Sequence, residues 1–127
     1  MSTTPPRRIR VLVVEPHPAV RRGLVALLNR HSDIEVIGES FDCADAARLT
    51  RDLLPDVITI DAALAARETA KTLGAIRASN ANAHILLMCT LARETTVEAL
   101  LGSDIAAYCW KDADEGEIAA AIRRSAD

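Results

Sequence analysis

The sequence lacks any apolar run long enough to cross a membrane. Its uncharged apolar runs, such as residues 11–14 and 85–89, have the length of single strands, whereas a membrane-spanning helix needs about 20 apolar residues. Residues 1–10 are basic and contain proline, but no apolar segment of the kind that a secretory signal requires follows them. These absences predict a soluble protein of the cytoplasm that makes no contact with a membrane.

Cysteine and histidine are too few and too scattered for a disulfide framework or a metal site. The three cysteines, Cys43, Cys89 and Cys109, are odd in number and form no CxxC pair. The three histidines lack an HxxxH type of ligand spacing. We therefore expect reduced, buried thiols and histidines with surface or packing roles. A thiol pair of Cys89 and Cys109 is a minor redox hypothesis, because two neighbouring strands are predicted to end near these residues.

Positive charge is scarce as well. The formal net charge is -3, the isoelectric point is near 5.6, and no basic run is longer than Arg7, Arg8 and Arg10. A surface of this kind does not attract nucleic acid by itself. If the protein controls DNA, another segment has to bind it.

Short β-branched runs alternate five times with segments of helical period. The chain has 127 residues, half of them apolar, which suffices for one domain with a modest core. The alternation predicts βα units around a parallel sheet. The predicted strands are residues 9–14, 34–39, 57–60, 85–89 and 105–110. The predicted helices are residues 18–29, 43–54 with Asp42 as N-cap, 66–78, 93–101 and 114–124.

Charged residues follow three of the predicted strands. Open parallel sheets have their functional crevice at the carboxyl ends of the strands. Glu15 follows the first strand, Asp61 the third and Lys111 the fifth, while Cys89 ends the fourth. Two carboxylates and a lysine at one edge predict a charged pocket. Asp61 also fits the role of a capping acid after a strand. An ion pair between Asp61 and Lys111 would form even if the pocket had no chemical role.

Four segments resemble the receiver domains of two-component response regulators, in particular the LuxR-type or NarL-type branch. They are VLVVEPHPAVRRGLVALL at 11–28, DIEVIGES at 33–40, PDVITID at 55–61 and YCWKDA at 108–113. The resemblance implies an α/β fold of the flavodoxin-like (βα)5 type, with a five-stranded parallel sheet of order 2-1-3-4-5 and helices on both faces. It implies a receiver domain over residues 9–125 and a flexible N-terminal leader over residues 1–8.

The resemblance also implies roles for individual residues. In such receivers an aspartate after the third strand accepts a phosphoryl group from a kinase phosphohistidine, which is covalent catalysis by a carboxylate. By position, Asp61 is the candidate phosphoacceptor, and Lys111 pairs with the phosphoryl group or with Asp61. Glu15 and Asp61 are the candidate ligands of a Mg²⁺ ion. The switch residues, again by position, are Cys89, Thr90 and Tyr108.

The sequence departs from the family pattern at three places. Pro16 stands where the family has a second acid, which would leave a weak Mg²⁺ site. Cys89 stands where the family has threonine or serine, and a thiol is a weaker donor than a hydroxyl. Residues 62–69, AALAARET, replace a loop that usually contains proline and glycine. These departures favour an atypical receiver that works independently of phosphorylation.

The implied function is regulatory and not enzymatic. The chain resembles the receiver part of a LuxR-type transcriptional regulator, or a stand-alone receiver. The implied partners are a sensor histidine kinase or other phosphodonor, a second copy in a homodimer, and DNA through a C-terminal domain outside this chain. The alternative is a ligand-sensing or constitutive protein-interaction domain, which the missing metal ligand and the alanine-rich segment 62–66 suggest. A nucleotide-binding enzyme is disfavoured, because residues 15–18 include an acid and two prolines where phosphate needs backbone N–H groups.

Overall fold

Five parallel strands form one sheet in the computed structural model, which describes residues 7–80, 82–89, 107–111 and 113–127. Every neighbouring pair of strands is parallel. The strands are β1 (Ile9–Val14), β2 (Ile34–Ser40), β3 (Val57–Asp61), β4 (His84–Cys89) and β5 (Ala107–Trp110). Their order, β2-β1-β3-β4-β5, confirms the predicted fold class.

Four helices accompany the strands in the described part of the chain. They are α1 (Pro18–Leu28), α2 (Cys43–Leu53), α3 (Ala62–Ser79) and α4 (Glu115–Ala126). The helix predicted over residues 93–101 lies outside the described residues, as does most of the predicted leader. None of the helices that the structure describes combines the length and apolarity that crossing a membrane requires.

The helices pack on both faces of the sheet, because successive residues of a strand point to opposite faces. Leu12 and Val14 of β1 belong to the core under α2 and α3, whereas Val11 and Val13 belong to the core under α1 and α4. Strands β1, β3 and β4 are buried along most of their length. Burial on both faces explains why their sequences are apolar almost throughout.

The ends of α2 follow from local sequence. Asp42 is the N-cap, as predicted, and its Oδ1 accepts a hydrogen bond from the N–H of Asp45 at 2.8 Å. The helix ends one residue earlier than predicted, at Leu53. Leu54 has a left-handed backbone with φ of 52°, and Pro55 then prevents the helix from continuing.

The start of α3 corrects the prediction for residues 62–65. The helix predicted over residues 66–78 begins four residues earlier, at Ala62, where a loop was expected. Asp61 is its N-cap, and the Asp61 Oδ2 accepts a hydrogen bond from the N–H of Leu64 at 3.0 Å. Alanine and leucine are strong helix formers, so this alanine-rich segment extends the helix back to its cap. The chain therefore passes directly from the end of β3 into α3, without a loop between them.

Thr59, in the middle of β3, is fully buried, and its hydroxyl has no hydrogen-bond partner among the described residues. We predict that Thr59→Val raises the free energy of unfolding by roughly 1 kcal/mol, because it removes an unsatisfied hydroxyl and keeps the side-chain shape. Thr50→Val is the matched control, since Thr50 is equally buried but donates to the Ala46 carbonyl at 2.7 Å. Urea denaturation compares the two variants. A loss of stability in Thr59→Val would contradict the prediction.

Candidate functional site

Three charged residues meet at the carboxyl edge of the sheet. Glu15 follows β1, Asp61 is the last residue of β3, and Lys111 follows β5. Because the strands are parallel, their carboxyl ends lie along the same edge. The N–H of Lys111 donates to the carbonyl of Cys89 at 2.7 Å, which holds the backbone of Lys111 beside the end of β4.

Lys111 bridges the two carboxylates. Its Nζ lies 2.5 Å from Asp61 Oδ1 and also contacts Glu15 Oε1. The side chains of Lys111, Asp61 and Glu15 are 18%, 8% and 3% exposed, so water screens their charges little. Burial alone would lower the pKa of Lys111, but the hydrogen bonds to Asp61 and Glu15 outweigh burial and raise it. The ammonium stays charged, and we call these three residues the charged triad.

The outer oxygen of each carboxylate also has a partner. Glu15 Oε2 accepts the backbone N–H of His17 at 3.2 Å and lies 3.1 Å from Nδ1 of the same residue. Asp61 Oδ2 accepts the N–H of Leu64 as the cap of α3. All four carboxylate oxygens of the charged triad are therefore in contact with polar partners. The two interpretations of Asp61, a pocket acid and a capping acid, hold at the same time.

Arg21 supports the site, although it is not among the residues predicted from the sequence. Its Nη1 donates to the carbonyl of Glu15 at 2.8 Å, and its Nε lies 3.4 Å from Glu39 Oε1. The N–H of Glu15 donates to the carbonyl of Ser40 at 2.9 Å. The backbone of Glu15 is thus held from two sides. No motif marks Arg21, and the available signal was its place in the first turn of the helix that follows Glu15.

The predicted switch positions have different surroundings. Cys89 ends β4 and is fully buried, and burial, together with the nearby charge of Asp61, raises the pKa of its thiol to about 11. The thiol is therefore neutral and only a weak hydrogen-bond donor. Tyr108 is 43% exposed and meets Trp110 edge to face, with ring centroids 5.8 Å apart. Thr90 lies outside the described residues.

Cys89 and Cys109 lie on opposite faces of the sheet. Cys89 belongs to the core under α2 and α3, and Cys109 to the core under α1 and α4. Both are free and buried. Since the sheet lies between the two side chains, the geometry does not support the redox hypothesis that their sequence positions suggested.

The charged triad, as arranged, does not fit a Mg²⁺ ion. Mg²⁺ requires a near-octahedral set of oxygen ligands, but the inner carboxylate oxygens contact Lys111 and the outer ones accept backbone hydrogen bonds. Pro16 adds no side-chain oxygen. No group of three or more His, Cys, Asp or Glu within the described ranges is arranged to hold a metal ion. The Mg²⁺ site expected at Glu15 and Asp61 stays a prediction that this arrangement does not favour.

Comparisons with known proteins all relate this chain to one family. A sequence model of the response regulator receiver domain matches residues 11–123. The chain is 33% identical over 115 residues to the transcriptional regulatory protein LiaR of Bacillus subtilis. The aligned residues cover 91% of this chain and 54% of LiaR. It is 32% identical over 117 residues to the nitrate/nitrite response regulator protein NarP of Escherichia coli, with coverage of 92% and 54%. The chain thus spans about half the length of these relatives.

A solved structure supports the same relationship. The signal receiver domain of NarL from Mycobacterium tuberculosis superposes on this chain with a TM-score of 0.84 at 30% sequence identity. The match covers 95% of this chain and 98% of that one. The likeness therefore extends over nearly the whole chain.

Lys111→Met would leave two buried carboxylates without their cation. We predict a loss of about 3 kcal/mol in the free energy of unfolding, because removing one partner of a buried ion pair leaves the other charge unpaired in the interior. Arg51→Met serves as a surface control, since the Arg51 side chain is 66% exposed. Chemical denaturation at neutral pH measures both variants. Equal stability of Lys111→Met and the unmodified protein would contradict a buried bridge.

The cysteines provide a second prediction. Burial raises the pKa of Cys89 to about 11 and also raises the pKa of Cys109. A thiol with a raised pKa stays protonated as the pH rises above its ordinary pKa, and the protonated form is a poor nucleophile. We predict that iodoacetamide alkylates both residues slowly in the native protein at mildly alkaline pH and rapidly in urea. Peptide mass spectrometry measures each site, and rapid native labelling of Cys89 would contradict the prediction.

Proposed function

The chain belongs to the response regulator receiver family, and from that membership we propose that it is the signal-input domain of a LuxR-type transcriptional regulator that works without phosphorylation of Asp61. LiaR and NarP bear the names of regulators, and the chain matches about half of each. Their names support a regulatory role for this chain and not an enzymatic one.

The proposal includes three partners. A sensor histidine kinase or other phosphodonor meets the receiver, a second copy of the chain forms a homodimer, and DNA is bound by a domain outside this chain. We propose the cytoplasm as the place where these partners meet. The chain itself has a formal net charge of -3 and no basic run that would bind DNA directly.

The observation that carries the proposal is the contact of Lys111 with both carboxylates. A phosphoacceptor would use a carboxylate oxygen of Asp61 as its nucleophile. Asp61 Oδ1 pairs with Lys111 at 2.5 Å, and Oδ2 caps α3 at 3.0 Å. Both contacts restrain the Asp61 carboxylate. Attack on phosphorus would therefore draw on a carboxylate whose two oxygens are already engaged by an ion pair and a helix cap.

Charge repulsion supports the same conclusion. The charged triad has two carboxylates and one ammonium, so its net charge is negative, as is that of an incoming phosphoryl group. Receiver domains commonly bind Mg²⁺ for phosphorylation, and a metal ion supplies positive charge for this step. In this chain Pro16 offers no carboxylate to hold the ion, and two carboxylates already neutralise Lys111.

The switch position at the end of β4 adds a third argument. The family uses a hydroxyl there to bond the phosphoryl group. The Cys89 thiol is buried, has a pKa of about 11 and is a weak donor. A phosphoryl group on Asp61 would consequently lack the hydrogen bond that couples the site to the rest of a typical receiver.

Ligand sensing on a receiver scaffold, the alternative from the sequence, has less support. The relatives are named as regulators. The alanine-rich segment that suggested an uncharged crevice is the first turn of α3, capped by Asp61. That segment therefore no longer argues for a ligand-binding loop.

Intact-mass spectrometry after incubation with phosphoramidate and Mg²⁺ tests the proposal. We expect no phosphoryl adduct on the unmodified chain, and none on Asp61→Asn. The double variant Pro16→Asp/Cys89→Thr restores the acid and the hydroxyl of the family pattern, and we expect it to gain one phosphoryl group. Circular dichroism confirms that each protein is folded. An adduct on the unmodified chain that is absent from Asp61→Asn would overturn the proposal.

A further inference from the structure

We infer that Lys111, with Pro16 in place of a second acid, is the resident cation of the charged triad and excludes Mg²⁺ from it. The inference deepens the proposed function and rests on it for the identity of the site as a receiver pocket. It concerns cation binding, however, and its test requires no phosphodonor. With one acid fewer than the family pattern, the ammonium of Lys111 takes the place that a divalent ion would occupy.

The inner carboxylate oxygens converge on one nitrogen atom. Asp61 Oδ1 and Glu15 Oε1 both contact Lys111 Nζ. A Mg²⁺ ion that bound both oxygens at about 2.1 Å would lie within the volume that the ammonium fills. The ion and the ammonium therefore compete for one position.

The outer oxygens offer no second position for the ion. Glu15 Oε2 accepts the N–H of His17, and Asp61 Oδ2 accepts the N–H of Leu64. Turning either carboxylate towards a metal ion would break the turn after β1 or uncap α3. Pro16, next to Glu15, has no side-chain oxygen to replace the one that is lost. A metal ion would thus find no side-chain carboxylate here beyond the two that Lys111 already contacts.

Displaced from the triad, Lys111 would lose its contacts with both carboxylates. It lines a cavity of about 280 Å³ between α1 and α4. The other lining residues are apolar or glycine: Val20, Gly23, Leu24, Leu27, Met88 and Ile118. An ammonium moved to this cavity would face apolar side chains in place of two carboxylates, which is less favourable. The protein therefore favours the arrangement in which Lys111 stays between the carboxylates.

The first test compares Mg²⁺ effects on the unmodified chain and on Lys111→Met. We expect isothermal titration calorimetry of the unmodified chain with MgCl2, at constant ionic strength, to give no saturable heat. Thermal unfolding of the unmodified chain should not shift either. Lys111→Met should have a lower Tm that Mg²⁺ raises, because the ion can now pair with both carboxylates. The double variant Lys111→Met/Asp61→Asn is the matched control and should not respond to Mg²⁺.

The second test keeps Lys111 and does not depend on a destabilised variant. Pro16→Asp adds a carboxylate next to Glu15, and Pro16→Asn adds a neutral side chain of the same shape. We expect saturable Mg²⁺ binding only by Pro16→Asp, because the added carboxylate gives the ion a ligand that Lys111 does not already contact. Trp110 provides the signal, since it is the single tryptophan of the sequence and is adjacent to Lys111. Its fluorescence should change with Mg²⁺ in Pro16→Asp and stay constant in Pro16→Asn.

Three results would each overturn the inference. They are saturable Mg²⁺ binding by the unmodified chain that Asp61→Asn abolishes, a folded Lys111→Met protein that Mg²⁺ does not stabilise, and a folded Pro16→Asp protein that binds no Mg²⁺. None of them is a phosphorylation result. Mg²⁺ binding without a phosphoryl adduct would overturn this inference alone, whereas an adduct without Mg²⁺ binding would overturn only the proposed function.

Discussion

The bridge from Lys111 to two buried carboxylates is the contact on which the site depends. Asp61 ends β3 and Lys111 follows β5, so β4 lies between them in the sheet. Neighbouring strands are about 4.8 Å apart, and two such steps make roughly 10 Å. Only a long side chain crosses that distance, and the hydrogen bond from Lys111 to the Cys89 carbonyl fixes where the side chain starts. Strand order and side-chain length together bring the ammonium to the acids.

Asp61 connects this bridge to the helix that follows. One oxygen of its carboxylate pairs with Lys111 and the other caps α3. Because both oxygens belong to one carboxylate, a single side chain links the end of β3, the start of α3 and the segment after β5. Arg21 and Ser40 form hydrogen bonds with the backbone of Glu15. These bonds connect the end of β1 to the same group of contacts. The carboxyl edge of the sheet is consequently a connected polar network.

The fold and the residues of the site could be predicted from the sequence for different reasons. The period of apolar residues predicted the strands, and parallel topology then required Glu15, Asp61 and Lys111 to share an edge. The predicted start of α3 was wrong because the family pattern suggested a loop. Asp61 followed by alanines and leucine nevertheless has the features of a capped helix. Arg21 was missed because its contact with Glu15 depends on how α1 is oriented. Local sequence does not specify that orientation.

The loss of an acid at Pro16 changes the charge balance of the edge. With two acids after β1, as the resemblance implies, three carboxylates and one lysine would leave two negative charges, which a divalent cation neutralises. With Pro16 one of these charges is absent, and Lys111 leaves a single negative charge shared by two hydrogen-bonded carboxylates. Buried charges are tolerated when they are paired and hydrogen-bonded. A single substitution therefore removes both a ligand for the metal ion and the electrostatic need for it, and these effects act in the same direction.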